Sequence, residues 1–155
     1  MRLELSLFCI LSGCAARNAR PSHTPRPLEE PRAVTVIDRA YAEEGQKTSP
    51  PRDIGLPSGK SIHVDVGTAG HKYGVAYLTD ADVDARGGRS DLPPQMDAGD
   101  LAIVQGNGPD EGAVILVVFA ADYRYDPHDT SRAAEKKLTR DVRDFLIQAR
   151  SRKLR

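Results

Sequence analysis

The most apolar stretch of this chain, AVILVVFAA, occupies residues 113–121. It is rich in β-branched residues, and a turn signal of two glycines, an asparagine and a proline precedes it at residues 106–109. Together these features predict a strand that is buried on both faces. Such a strand is not stable alone, because its backbone groups and both of its faces need partners. The chain must therefore fold around a sheet in which this segment is central.

Further segments of the chain predict neighbours for that strand. Residues 61–79 predict a hairpin, because a turn signal separates two β-rich arms. Polar and apolar residues alternate in the first arm, and its apolar residues are Ile62, Val64 and Val66. Residues 101–105 predict a short strand. Residues 46–59 contain three prolines and two glycines, and this composition predicts a loop.

The carboxy-terminal part of the chain predicts an amphipathic helix. Its apolar residues are spaced by four, four, three and four positions and form one stripe: Ala134, Leu138, Val142, Phe145 and Ala149. Residues 34–44 fit either a strand or a helix. We therefore predict an α+β fold, with a small antiparallel sheet of about four strands packed against a carboxy-terminal amphipathic helix.

The composition argues against a nucleic-acid partner. Lys plus Arg and Asp plus Glu each number 22, the chain has no Trp, and only three residues are Phe. A balanced charge gives no electrostatic attraction for phosphate, and few aromatic rings are present for base stacking. The two cysteines, Cys9 and Cys14, precede the predicted domain, so no disulfide can join its elements. We expect no cofactor.

The amino terminus has the pattern of an export signal. Arg2 precedes a short apolar run at residues 5–11, which fits a secretory signal of about 7–15 apolar residues rather than a membrane span of about 20. The four residues Leu11-Ser12-Gly13-Cys14 then resemble the lipobox of bacterial lipoproteins. The alternatives are simple secretion, or a buried strand with two core cysteines.

The lipobox resemblance has several implications for the mature protein. It implies that residues 1–13 are a signal peptide and that the Cys14 thiol receives a diacylglyceryl group before cleavage. The new amine is then often acylated, as with palmitate, so that several chains anchor the protein in a membrane of the envelope. In that class an aspartate after the cysteine resembles an inner-membrane retention signal. Ala15 stands there instead, so we expect the outer membrane, facing the periplasm.

The stretch that follows the cysteine is predicted to be a linker. Residues 15–32 carry prolines at positions 21, 25, 27 and 31 and almost no large apolar residue. Proline is disfavoured in helix interiors and in central strands, so we predict that this stretch is an extended spacer. At about 3.1 Å per residue it could reach on the order of 50 Å. The chain thus divides into a signal peptide, a lipidated linker at residues 14–32, and a single domain at residues 33–155.

One acidic segment, residues 80–91, resembles a calcium-binding loop in part. Asp80, Asp82, Asp84 and Asp91 fall at the ligand positions 1, 3, 5 and 12 of a calcium-binding helix-loop-helix loop. Its sixth position should be Gly for the sharp turn, and here it is Ala85. A strand pattern also precedes the segment, and two prolines follow it. We therefore expect a solvated acidic loop, with an irregular calcium site as the alternative.

Two other segments fit known site patterns poorly. Residues 55–61, GLPSGKS, have three residues between the glycines where a phosphate-binding loop needs four, and a strand is predicted after them. His63, Asp65 and His71 could converge across the hairpin to bind a metal or act as a base. Alternation places His63 and Asp65 on the solvent face, so we interpret them as solvated polar residues. No catalytic set is predicted, and we expect a protein that is not an enzyme.

The basic residues of the predicted helix could contact an acidic partner or anionic lipid, although acidic residues interrupt them. Our leading hypothesis is a membrane-tethered envelope lipoprotein that acts as a protein-interaction module, either in assembly of an envelope complex or in toxin neutralisation. Its partners would be the membrane and an envelope protein. The alternative is a periplasmic ligand- or calcium-binding module that uses the acidic segment at residues 80–91. A hydrolase that uses His63 or Asp65 is a third hypothesis.

Overall fold

The computed structural model describes residues 24–94, 100–128 and 132–151. Its strands are β1 (Arg26–Pro27), β2 (Thr48–Ser49), β3 (Arg52–Gly55), β4 (Ser61–Val64), β5 (Val66–Thr68), β6 (Tyr73–Leu78), β7 (Ile103–Gln105), β8 (Val114–Phe119) and β9 (Arg124–Tyr125). Its α-helices are α1 (Glu30–Glu43), α2 (Asp80–Ala85) and α3 (Ala133–Ser151).

Five strands form the central sheet, in the order β2-β5-β6-β8-β7. The central pair, β6 and β8, is parallel, and the other neighbours are antiparallel. Two small antiparallel sheets, β1–β9 and β3–β4, complete the structure. The predicted α+β class and the packing of a carboxy-terminal helix on the sheet are confirmed. The central sheet has one strand more than the predicted four, and its parallel pair requires a crossover, which includes α2.

One face of the sheet, which we call the helix side, packs against α1 and α3. Alternate residues of β6 and β8, such as Val75 and Leu116, point into this core. The stripe predicted for the carboxy-terminal helix is confirmed, because it supplies the buried residues Ala134, Leu138, Val142, Phe145, Leu146 and Ala149. Residues 34–43 are helical and belong to α1, whose buried residues are Ala33, Val36, Ile37, Ala40 and Tyr41. These residues recur every three to four positions, which is the spacing of one helix face, so the alternative of a helix is confirmed over that of a strand.

The opposite face, which we call the hairpin side, packs against the β3–β4 hairpin and α2. Its core includes Ile54, Ile62 and Ile115. The prediction of a loop over residues 46–59 is wrong, because β2 and β3 lie within that range. Its prolines at 50, 51 and 57 fall between or after these short strands, so none of them interrupts a ladder.

Residues 26–32, which we assigned to the linker, are part of the packed structure. Leu28 is buried, and its carbonyl accepts a hydrogen bond from the Tyr77 hydroxyl at 2.6 Å. Pro31 lies in the first turn of α1, where no intrahelical partner is needed for its missing N–H. The fold therefore begins before Ala33. Among the described residues, no helix is long and apolar enough to cross a membrane. The lipobox and Cys14 lie outside the described residues.

Candidate functional site

A polar cavity of about 280 Å³ opens on the hairpin side, where β4 meets the amino-terminal end of α1 and one side of α2. Its polar lining includes Glu30, Asp53, His63, Asp65, Asp82 and Arg86. Two of the three residues that we considered as a cluster, His63 and Asp65, therefore share one concave site. The site therefore brings several carboxylates close to one guanidinium and one imidazole.

His63 is held at the cavity by the β3–β4 hairpin. The strand register pairs it with Asp53, whose Oδ1 lies 2.8 Å from His63 Nδ1. This hydrogen bond raises the pKa of His63 above its ordinary value, against the effect of desolvation. The two side chains remain 58% and 69% exposed. The solvent-facing position predicted for His63 is thus confirmed, while its partner Asp53 lies in a strand that sequence reasoning missed.

Asp65 occupies a different environment from the one that we predicted. The interpretation of Asp65 as a solvated residue is wrong, because only 9% of this residue is exposed. A bend at Asp65 separates β4 from β5 and interrupts the alternation of the strand. The carboxylate turns inward, and its Oδ2 accepts a hydrogen bond from the Tyr77 N–H at 2.7 Å. Burial raises the pKa of Asp65, and this hydrogen bond offsets part of the rise.

His71 does not join His63 and Asp65. Its ring stacks on Tyr73 with 4.8 Å between the centroids, beside a separate cavity of about 530 Å³ near β2. Within the ranges that the structure describes, no group of three or more His, Cys, Asp or Glu side chains is placed to hold a metal ion. The three residues that we considered as a cluster therefore do not converge, which agrees with our preference for the interpretation without a shared site.

The first half of the predicted acidic loop is a helix, α2. Thr79 and Asp82 form a reciprocal capping box, in which the Thr79 N–H donates to Asp82 Oδ2 at 2.8 Å. Asp91 lies apart from this helix and pairs with Arg86 at 2.5 Å and Lys60 at 3.5 Å. Desolvation opposes ionisation of Asp91, but the Arg86 hydrogen bond lowers its pKa overall. The acids at residues 80–91 thus have separate structural roles.

The segment at residues 55–61 is the connection between β3 and β4. It passes from one antiparallel strand to the next, and no helix follows it. Leu56 N–H donates to the Lys60 carbonyl at 2.8 Å, which closes the turn. This geometry differs from a phosphate-binding loop, in which a helix amino terminus faces the ligand.

A second candidate site is the groove between α1 and α3, on the outer surface of the helix side. This α1–α3 groove encloses about 490 Å³. Its floor includes the buried Val36 and the half-buried Thr139, and charged side chains form its rims. At its α3 end lies Ile147, which is 47% exposed. Within the described ranges, no other large apolar side chain is as exposed as Ile147.

The two helices that form the groove are joined by ion pairs at one end. Glu44, directly after α1, accepts hydrogen bonds from Arg143 Nε at 2.8 Å and from the Arg150 guanidinium. These hydrogen bonds lower the pKa of Glu44. At the other end, Arg32 donates to Glu135 at 2.6 Å. Ion pairs therefore link the two helices at both ends of the groove.

Comparisons with known proteins assign no function to either candidate site. No protein-family model matches the chain, and no curated protein and no solved structure matches it either.

Proposed function

We propose that this chain is a lipid-anchored protein of a bacterial envelope, whose domain binds a partner protein through the α1–α3 groove. The lipobox-like residues Leu11-Ser12-Gly13-Cys14 support the anchor, and Ala15 supports the outer membrane. The role is contact with another protein, and both complex assembly and toxin neutralisation are compatible with it.

The α1–α3 groove is the observation that carries this proposal. It combines a concave surface, charged side chains on both helices and one exposed apolar side chain, Ile147, and protein interfaces likewise combine apolar contacts with polar ones. Its lining side chains project mainly from two helices that share one packed core and are also linked by the ion pairs of Glu44 and Glu135. A binding surface on rigid helices needs little ordering when a partner binds.

The tether that we propose is shorter than the predicted linker. Because the fold includes Arg26 and the residues after it, only residues 15–25 remain as a spacer. If that spacer is extended, it reaches about 35 Å at about 3.1 Å per residue. The domain would therefore work close to the membrane surface, within reach of envelope proteins that project a short distance from it.

Two substitutions test the anchor and the groove separately. Cys14→Ser should release the full chain from the membrane fraction and abolish labelling by radioactive palmitate, and retention in the membrane would contradict the anchor. Ile147→Asp should remove an envelope protein that co-purifies with the anchored chain after mild crosslinking. Lys47→Glu alters an exposed residue outside the groove and should leave that protein bound. The same co-purifying proteins in all variants would contradict the groove.

A second candidate function is binding of a small ligand in the polar cavity, and the buried Asp65 favours it. A carboxylate that is removed from water attracts hydrogen-bond donors and cations strongly. Titration with millimolar calcium during thermal unfolding tests the metal version of this idea. An unchanged melting temperature would remove calcium, and an Asp65→Asn variant that shifts equally with calcium would remove this cavity as its site.

A further inference from the structure

The α1–α3 groove has an ordered pattern of side chains along its length. On α3, Lys136, Arg140, Arg143 and Ile147 are spaced by four, three and four residues, so they form one continuous stripe. On α1, Val36, Arg39 and Glu43 are spaced by three and four residues, so Arg39 and Glu43 form the opposite wall beside Val36 in the floor. Two helical stripes that line a common groove can pack against a third helix, whose axis would lie about 8–10 Å from theirs, as is typical of packed helices.

The charge of the groove differs from that of the whole chain. Lys plus Arg balance Asp plus Glu over the full sequence. The groove lining has five cations, which are Arg39, Arg132, Lys136, Arg140 and Arg143, and three acids, which are Glu43, Glu135 and Asp144. The excess of two positive charges favours a partner with an excess of negative charge.

Within residues 24–94, 100–128 and 132–151, two of these cations have no ion-pair partner. Arg143 pairs with Glu44, Arg140 contacts Asp141, and Arg132 lies 3.9 Å from Glu135. Among the described residues, neither Arg39 on α1 nor Lys136 on α3 lies within ion-pair distance of an acid. Both walls of the groove therefore present a cation that can pair with a carboxylate from outside.

We propose that the groove binds an amphipathic helical segment of the partner, with an apolar residue packed on Ile147 and acidic residues paired with Arg39 and Lys136. This proposal rests on the proposed function, because it specifies the partner of the same surface. Helix-in-groove recognition uses apolar anchors at helical spacing and flanking charges for register. Pairing with both walls fixes the segment along the groove, and the contact with Ile147 covers an apolar side chain that is half exposed.

A protein segment fits this groove better than an anionic membrane does. Glu43, Glu135 and Asp144 are interleaved with the cations, so a uniform layer of phosphates would be repelled at three positions. The cations also line a concave surface rather than a flat one, whereas a helix can enter the concavity and present opposite charges at chosen positions. The acidic side chains of the groove would thus repel a surface that carries only negative charge, such as an anionic membrane.

Synthetic peptides test this proposal with the full chain carrying Cys14→Ser, which changes none of the described residues. The probe is a fluorescent helical peptide of roughly 18 residues, about the length of α3 at about 1.5 Å rise per residue, with Leu on one face and Glu beside it. A matched peptide carries Lys in place of each Glu. By fluorescence anisotropy at low salt, we expect the acidic peptide to bind about tenfold more tightly than the basic one.

Charge reversals then locate the binding surface. Arg39→Glu and Lys136→Glu should each weaken binding of the acidic peptide by about fivefold, and Ile147→Ala should also weaken it. Lys47→Glu makes the same change outside the groove and should alter the affinity by less than about twofold. All four residues are exposed, and unchanged circular dichroism would verify that each variant folds. Equal binding of the two peptides, or an equal effect of Lys47→Glu, would overturn the proposal.

Vesicles separate the membrane from a protein partner. Vesicles of equal parts phosphatidylglycerol and phosphatidylcholine should sediment no more of the Cys14→Ser chain than of its Lys136→Glu variant. If binding to these vesicles requires Arg39 and Lys136 while the peptide does not bind, the groove recognises lipid and the proposal is wrong. If Ile147→Asp removes a co-purifying envelope protein but the acidic peptide does not bind, the proposed function stands and only the acidic helix is excluded.

Discussion

The two faces of the central sheet are covered in different ways. On the helix side, α1 and α3 bury a large core whose described residues include no charged side chain. Its buried polar groups are hydroxyls with internal partners, such as that of Tyr77 with the Leu28 carbonyl, and the charged side chains lie outside it, in the groove between the helices. On the hairpin side, the core is smaller, and polar groups extend inward to the buried Asp65. The helix side can therefore change its surface without affecting its core, whereas on the hairpin side the cavity and the core are coupled.

The largest expected effect tests the difference between the two cores. Phe145→Ala on the helix side should lower the free energy of unfolding by about 3–5 kcal/mol, because the helices around it cannot close the void. Leu56→Ala on the hairpin side should cost about 2–3 kcal/mol, since Leu56 lies at the edge of the small core, where the β3–β4 turn can move inward. Urea unfolding measures both. A larger loss for Leu56→Ala would reverse the comparison.

The next effect concerns how closely the hairpin side packs on the sheet. A Cβ added at Gly74 in β6 would lie 2.7 Å from Val64 Cγ1 and 2.8 Å from the Val66 carbonyl oxygen. Gly74→Ala should therefore destabilise the fold by about 1–3 kcal/mol in urea unfolding. Gly55→Ala is the matched control, because its nearest contact would be 3.5 Å away. Equal stabilities of the two variants would show that β4 does not approach β6 this closely.

A smaller effect depends on pH and isolates Asp65. Burial raises the pKa of Asp65 in the folded protein above its value in the unfolded chain. The folded protein therefore gains stability from protonated Asp65 below the unfolded-state pKa, and it loses this stability as pH rises through the folded-state pKa. Asp65→Asn keeps an acceptor for the Tyr77 N–H and removes the charge. The variant should gain melting temperature over the wild type at pH 7, and the difference should shrink towards pH 4. A variant that is less stable at pH 7 would contradict this account.

The smallest effect concerns the ion pairs of the helix side. The pKa of Glu44 is lower in the folded protein than in the unfolded chain. Ionised Glu44 therefore stabilises the fold above the unfolded-state pKa, and this stabilisation is lost as pH falls through the folded-state pKa. Glu44→Gln should lower the melting temperature by about 1–3 °C at pH 7, and this loss should shrink as pH falls through the folded-state pKa of Glu44. Glu43→Gln serves as the control, since its carboxylate lies 4.0 Å from Arg143. If both variants lose the same temperature, the Glu44 pairs do not fix the groove.

Long, regular patterns in the sequence predicted the centre of the fold. The apolar run at residues 113–121 contains β8, and the stripe from Ala134 to Ala149 is the buried face of α3. These patterns are informative because burial constrains every position over several turns or over a whole strand. The α+β class follows from these two elements. The hairpin predicted over residues 61–79 is correct only in part, because β5 pairs with β6 whereas β4 pairs with β3.

Short elements could not be read in the same way. Strands β2 and β3 have two and four residues, and their neighbouring prolines predict a loop when the pairing partners are unknown. Since Asp53 lies in β3, its contact with His63 was missed with the strand. The inward turn of Asp65 follows from a bend between two strands, which breaks the alternation that placed it in solvent. The groove likewise needs α1, whose sequence VTVI suits a strand as well as a helix.

The central claim is that the anchored domain meets its partner on the helix side. The direct measurement places a photo-crosslinking amino acid in the full, lipid-anchored chain, either at Thr139 in the α1–α3 groove or at the exposed Ser58 on the hairpin side. We expect a crosslink to an envelope protein from Thr139 that Arg140→Glu abolishes, and no such product from Ser58. A crosslink from Ser58 without one from Thr139, or the same products from both positions, would contradict the account.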